Sequence, residues 1–293
     1  MKSNSTSANL LAPFISSEIG KQLRNADLSF AEVEPIATEA AIEQRKTFDE
    51  TFSVKRTIQE APSIATSSDA NWWVNSGGEL IVDKGVARTL QGAAAEGSRW
   101  REIYKKTTQV DTDTGAHPQN IFRLVLKNKW LNYSQQVYAK VVKDNLSESP
   151  QRDDSNGLFL FNRYYDGDNI YYTGLRVDGA VSIKKKYKGA YYTLLYKKIL
   201  NVPKYGRADN PNVLPKDTWM GIKSVVRNLD ANRVEISFYT DIGEAGTWKL
   251  GGTVIDDNKS FGGAALLRAG YAGIRTDFMD VQFKKYAIAD EVK

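Results

Sequence analysis

Nine of the chain's fifteen Tyr fall between Leu158 and Tyr205, at positions 164, 165, 171, 172, 187, 191, 192, 196 and 205. A Tyr ring stacks on the C–H face of a sugar while its hydroxyl bonds the sugar's own, and it loses little rotamer freedom in doing so. Overlapping this stretch, residues 179–208 hold seven Lys and Arg207 and no Asp or Glu. Cations interleaved with aromatics suit an acidic polysaccharide, because Lys and Arg pair with its carboxylates or sulfates while the rings stack. Single-stranded nucleic acid makes similar demands and ranks lower, since no RNA-binding or OB-type signature accompanies the strip. A plainer reading is that Tyr suits any pleated, half-buried surface, and that Lys184, Lys185 and Lys186 guard an edge strand. It leaves Arg163, Arg176 and Lys197 unexplained, because charges within apolar-aromatic runs need a partner or a ligand. The ligand-binding candidates are therefore Arg163, Tyr165, Tyr172, Arg176, Lys186, Tyr191 and Lys197.

Whether the chain is a catalyst stays open at this point. β-Elimination on a uronate needs a cation to neutralise the carboxylate, a base for the C5 proton and an acid for the leaving oxygen. Arg123, Arg163 or Arg176 could supply the first, and Tyr191 or Tyr196 beside Lys197 the others, so a lyase would draw on Arg123, Arg163, Tyr191 and Lys197. Hydrolysis would need paired carboxylates, and the inner runs offer few besides Glu79 and Glu235. The acidic turns at Asp153-Asp154 and Asp166-Gly167-Asp168 present oxygen ligands suited to Ca²⁺, the one candidate cofactor, although tight turns select the same residues. The chain has no Cys, which removes disulfides, thiol catalysis and Cys-based zinc sites.

The elements that must position these residues are strands. From about Thr51 the sequence breaks into short alternating runs separated by Gly, Asn and Asp, the texture of antiparallel pairing. The clearest are 79–82, 121–126, 135–142, 158–164, 170–177, 191–197, 219–227, 233–239 and 281–287, with no convincing helix between them. Phe122, Leu124 and Leu126 share one strand face, as do Val234, Ile236 and Phe238. Before them, Leu10, Phe14, Ile19 and Leu23 recur at helical spacing, so residues 1–47 read as a helical arm, a candidate for self-association, and 48–293 as a β-sandwich. Composition, 41% hydrophobic and 26% charged, argues against wholesale disorder, collagen and a membrane bundle. The net charge of +5 favours anionic partners without demanding one. No apolar run is long enough to span a bilayer, and the start lacks the apolar core of a secretory signal.

Several segments also carry a resemblance. Phe48 to Phe52, Asn71-Trp72-Trp73, Ser76 to Val82 and the closing Gly270 to Phe283 resemble the concanavalin A-like lectin and glucanase superfamily of jelly rolls. Within it, Asn120 to Arg123, Gln135 to Tyr138 and Lys186 to Tyr192 are similar, more weakly, to three strands of alginate lyase-type polysaccharide lyases. The chain departs from that pattern in having one Arg in the first strand and no His in the second, its lone His117 lying in a loop. The glucanase carboxylate motif is absent.

The expected molecule is thus a mainly β, two-sheet antiparallel jelly roll behind a helical arm, binding a polysaccharide that is expected to be anionic because the cationic strip calls for counter-charge. The alternatives are a polysaccharide lyase acting on a uronan and a structural or attachment protein of a virion or surface layer. The fold implies an extracellular or virion-surface setting.

Overall fold

The computed structural model describes residues 46–291. The chain divides into units Met1–Gln44 and Arg45–Lys293, and the described residues belong to the second. The expected helical arm, with its self-association and attachment roles, lies outside them apart from Lys46 and Thr47.

The fold is an antiparallel two-sheet sandwich. One sheet has nine strands: β14 (Lys249–Asp256), β13 (Val234–Ile242), β12 (Met220–Asn228), β7 (Tyr133–Asp144), β16 (Met279–Asp290), β5 (Val86–Arg88), β4 (Glu79–Asp83) and β2 (Arg56–Gln59) in spatial order, with β1 (Thr47–Glu50) also paired to β16. The other has seven: β11 (Ala190–Lys198), β10 (Ala180–Tyr187), β9 (Asn169–Arg176), β8 (Gly157–Asp166), β15 (Gly270–Asp277), β6 (Ile121–Trp130) and β3 (Trp72–Ser76). The first and last strands of the sandwich close on each other, with Phe48 opposite Ile288.

Alternation decides which side chains meet between the sheets. Phe122, Leu124, Leu126, Leu158, Leu160, Tyr171, Val181 and Ile183 of the seven-stranded sheet pack on Val137, Ile222, Ile236, Phe238 and Phe283 of the other. Polar side chains buried in this layer tie the sheets together. Asn162 Oδ1 accepts from Gln135 Nε2 at 2.8 Å and from Ser224 Oγ at 2.8 Å, while its Nδ2 donates to Thr173 at 3.1 Å. Lys185, with no exposed side-chain surface, bonds both oxygens of Asp256 at 3.0 and 2.8 Å, and Tyr171 donates to the same carboxylate at 2.6 Å. Such a pair is tolerable without water only because each group is saturated by partners.

Two expectations about elements are corrected. A helix, α1 (Arg99–Thr107), does stand among the strands: Trp100 and Tyr104, one turn apart, are its buried residues, Glu102 sits in its first turn and Lys105 and Lys106 in its last. Lys184 to Lys186 do not guard an edge, since β10 is paired on both sides, to β9 and β11. Among the described residues no helix is long and apolar enough to cross a membrane.

The buried Lys185–Asp256 pair gives a stability prediction. Lys185→Met alone strands a carboxylate in the core and should cost about 3–5 kcal/mol in urea unfolding. Lys185→Met combined with Asp256→Leu should recover most of that loss; a double variant as unstable as the single would show that the charge pair is not what Lys185 contributes.

Candidate functional site

The face of the seven-stranded sheet turned away from the core carries a groove of about 450 Å³. It crosses six of the strands, from Tyr191 and Thr193 on β11, through Lys184 on β10, Tyr172 on β9, Phe159 on β8 and Arg275 on β15, to Arg123 on β6. Register brings these residues into rows. Lys184 is opposite both Tyr172 and Thr193, and Arg275 is opposite both Phe159 and Arg123. Residues beyond the strand ends, Asp111, Gln151, Asp153 and Ser155 among them, also line it, as does Asp277 at the end of β15.

Phe159 and Tyr172 bring a buried aromatic surface into an otherwise largely polar lining. Phe159, Phe161, Val125, Ile170, Tyr172 and Trp73 form a second buried cluster, separate from the inter-sheet core, with Tyr164 and Tyr271 packed against it. Tyr172 meets Phe161 edge to face at 5.5 Å between ring centres, and Tyr191, 57% exposed, leans over Tyr172 at 6.2 Å. Burial pushes the Tyr172 phenol up to about 12, against the opposing influence of the Arg275 charge.

The cations divide by their partners. Arg275 donates Nε to Asp277 Oδ1 at 2.7 Å and lies 5.3 Å from the centre of the Tyr172 ring. Burial alone would lower its pKa, and the carboxylate of Asp277 more than compensates, so the guanidinium stays charged. Lys184 and Arg123 are half-buried and have neither a hydrogen bond nor an ion pair among the described residues. Burial, followed by the charges of Arg176 and Arg275, lowers the Lys184 pKa. An ammonium in that position gains most from an incoming anion.

The structure gathers only part of the predicted set in this groove: Arg123, Tyr172 and Tyr191 line it. Arg163 is the main correction. A regular strand would alternate it outward with Phe159 and Phe161, but β8 bulges after Asn162, Arg163 takes φ +51°, and its side chain turns inward. There it has no exposed surface and donates to Leu266 O at 2.9 Å and Asn228 Oδ1 at 3.0 Å, which makes it a brace rather than a ligand-binding cation. Tyr165 exchanges hydrogen bonds with the backbone of Arg268 at 2.9 and 2.7 Å in a different cleft. Arg176 is spent on Asp154 and Asp178, at 2.8 and 3.1 Å. Lys186 pairs with Asp168 at 3.0 Å while its ammonium stands 5.2 Å from the Tyr191 ring, beside the groove rather than in its lining. Lys197 is exposed opposite core-facing Val181, and so projects from the other side of β11.

The lyase-like triad of strands is likewise not assembled around one site. Gln135 lies in the nine-stranded sheet, buried, donating to Phe161 O at 2.6 Å. His117 pairs with Asp113 at 2.8 Å outside the groove. Glu235 is held by Arg227 and Glu79 accepts from Gln59, on separate strands of the nine-stranded sheet. Asp153 Oδ1 accepts the Ser155 N–H and Asp154 pairs with Arg176; Asp166 Oδ1 accepts the Asp168 N–H and Asp168 pairs with Lys186. These are turn and ion-pair roles, and among the described residues no three His, Asp or Glu side chains come together as a metal-sized cluster.

Sequence reasoning missed Lys184 and Arg275 as groove residues. For Lys184 a signal was there: strand alternation puts Lys184 and Lys186 on one face and Lys185 on the other, and Lys184 lies opposite Tyr172.

Neither a family model nor a curated protein sequence matches the chain. Among solved structures, the carbohydrate-binding module CBM66 from Bacillus subtilis is 10% identical with a TM-score of 0.38, over 58% of this chain and 83% of that one. A prokaryotic β-1,3-1,4-glucanase (lichenase) from a mouse hindgut metagenome is 8% identical with a TM-score of 0.42, over 84% of this chain and all (100%) of that one. A marine PL-14 alginate lyase from Aplysia kurodai is 7% identical with a TM-score of 0.37, over 80% and 99% of the two chains. Similarity at this level assigns the chain no activity.

The buried phenol at the groove floor yields a pH prediction. Folding raises the Tyr172 pKa, so its contribution to stability is complete below the ordinary value of about 10 and is lost as pH rises through about 12. Denaturant unfolding followed from neutral pH to about pH 12 should therefore show a smaller alkaline loss in Tyr172→Phe than in the unmodified chain. Equal losses would mean that Tyr172 is not buried as described.

Proposed function

We propose that this groove binds an acidic polysaccharide, a uronan or a sulfated glycan. The observation that carries the reading is the pair of unpartnered, half-buried cations, Lys184 and Arg123, in one groove with the exposed ring of Tyr191. Every other Arg or Lys that sequence reasoning singled out on this sheet, save Lys197, already has a carboxylate or carbonyl partner. Leaving charge half-desolvated and unpaired is unfavourable in the free protein, and an arriving carboxylate or sulfate relieves it with charge-assisted hydrogen bonds. Tyr191 offers a flat apolar face to a sugar ring, and Thr193 a hydroxyl for its OH groups.

The groove's volume of about 450 Å³ falls within the range of ligand sites. The sheet supplies a rigid floor, so little ordering entropy opposes binding. The mildly basic chain, at +5, adds long-range attraction for a polyanion that salt will screen. The proposed activity is recognition. Of the four residues expected to make a lyase, Arg123 and Tyr191 share the groove, whereas Arg163 and Lys197 lie elsewhere.

Calorimetric titration with polygalacturonate and with a neutral β-glucan tests this reading. The unmodified chain should bind the polyuronate and lose affinity as salt is raised. Lys184→Ala should weaken that binding about tenfold, the worth of one charge-assisted hydrogen bond, and leave neutral-glucan binding unchanged. Equal affinity for the two polymers, or a Lys184→Ala variant that binds polyuronate as well as before, would overturn it. Appearance of an unsaturated uronate product in the same mixtures would add catalysis to binding.

A further inference from the structure

The nine-stranded sheet turns a second strip of aromatics and lysines outward. In β7, Val137 and Ala139 face the core, so Tyr138 and Lys140 face away from it. Tyr138 stands opposite Lys284 of β16 and Gly221 of β12. Gly221 matters here because Trp248 lies across it: a Cβ at that position would come within 2.8 Å of the indole. The glycine thus lets the indole lie low on the sheet, 5.8 Å from the Tyr138 ring.

Lysines flank both tryptophans. Lys140 and Lys284 stand 5.0 and 4.3 Å from the centre of the Trp219 ring, and Lys223 stands 5.9 Å from that of Trp248. Lys284 is neutralised by Glu244 at 2.6 Å, whereas Lys140 and Lys223 have no carboxylate partner among the described residues. Both indoles remain partly exposed. Lys223 also stands 5.9 Å from the ring of Tyr239 on β13, so from β16 to β13 the strip crosses four strands, about 14 Å at the usual strand spacing. It thus repeats the chemistry of the groove: ring faces with unpaired ammonium groups beside them.

We infer that the outer face of the nine-stranded sheet is a second binding surface for an acidic polysaccharide, so that one chain can hold polymer on both faces of the sandwich. The inference rests on the groove reading for the class of ligand alone. Charge complementarity selects a polyanion as the occupant, and it disfavours a second copy of this chain, whose net charge is also positive. A two-sided binder gains avidity on a long polymer and links separate chains of it, without any new contact.

The test compares the unmodified chain with Trp219→Ala/Lys140→Gln and with the groove variant Lys184→Ala/Tyr191→Ala. Trigalacturonate titrated by calorimetry reports the number of sites, and turbidity with long polygalacturonate reports cross-linking. The unmodified chain should take up two trigalacturonates and turn polygalacturonate turbid. The outer-face variant should take up one and stay clear, yet still be retarded in a polygalacturonate gel. If Trp219→Ala prevents folding, Lys140→Gln/Lys223→Gln should give the same loss of the second site.

An outer-face variant that keeps both sites and full turbidity would overturn the inference, as would one that loses only oligothymidylate binding, which would make the strip a nucleic-acid surface. A groove variant that keeps both sites, alongside an outer-face variant that loses one, would instead count against the groove while supporting the second surface.

Discussion

Charge carried on a β-sheet must be paired, hydrated or given to a ligand, and this constraint organises the whole seven-stranded face. β10 shows it in three consecutive residues. Lys185 points into the core and is saturated by Asp256 and the Gly263 carbonyl, Lys186 points outward and pairs with Asp168, and Lys184 points outward with no ion pair among the described residues. Strand periodicity puts Lys184 and Lys186 on one face, and the availability of a carboxylate then separates a structural cation from a receptive one.

The buried polar groups also place the groove. Lys185, Tyr171 and Arg163 all reach from the seven-stranded sheet to the segment between β14 and β15, bonding Gly263 O, the Leu266 N–H and Leu266 O at 2.9 Å each. Asn162 and Gln135 fix the two sheets against each other one residue away from the β8 bulge. With the inner side of the sheet held in this way, its outer side can carry an aromatic floor and unpaired cations without those groups having to stabilise the fold. Removing Lys184 or Tyr191 should consequently affect binding more than folding, the opposite of removing Lys185.

Much of the architecture was legible from alternation alone. Val234, Ile236 and Phe238 marked an inner face, as did Phe122, Leu124 and Leu126, and both sets lie in the core. Helix α1 was not legible because only Trp100 and Tyr104 of its nine residues are buried, too few to make an apolar stripe. Of the groove's lining, Tyr172 and Tyr191 were named from residue type and Arg123 as a cation for elimination chemistry. Arg163 was misplaced, because a bulge reverses phase and nothing in Asn162-Arg163-Tyr164 announces one. Arg275 was hidden for a simpler reason: a single charge between Ile274 and Thr276 is conspicuous only once β15 is known to lie beside β6 and β8.

The most direct test of the account is a crystal structure of the chain with a bound oligogalacturonide. The account predicts sugar carboxylates about 3 Å from Lys184 Nζ and the Arg123 guanidinium, with a pyranose ring against the face of Tyr191. An oligosaccharide bound elsewhere, with Lys184 and Arg123 still free of any anion, would contradict it.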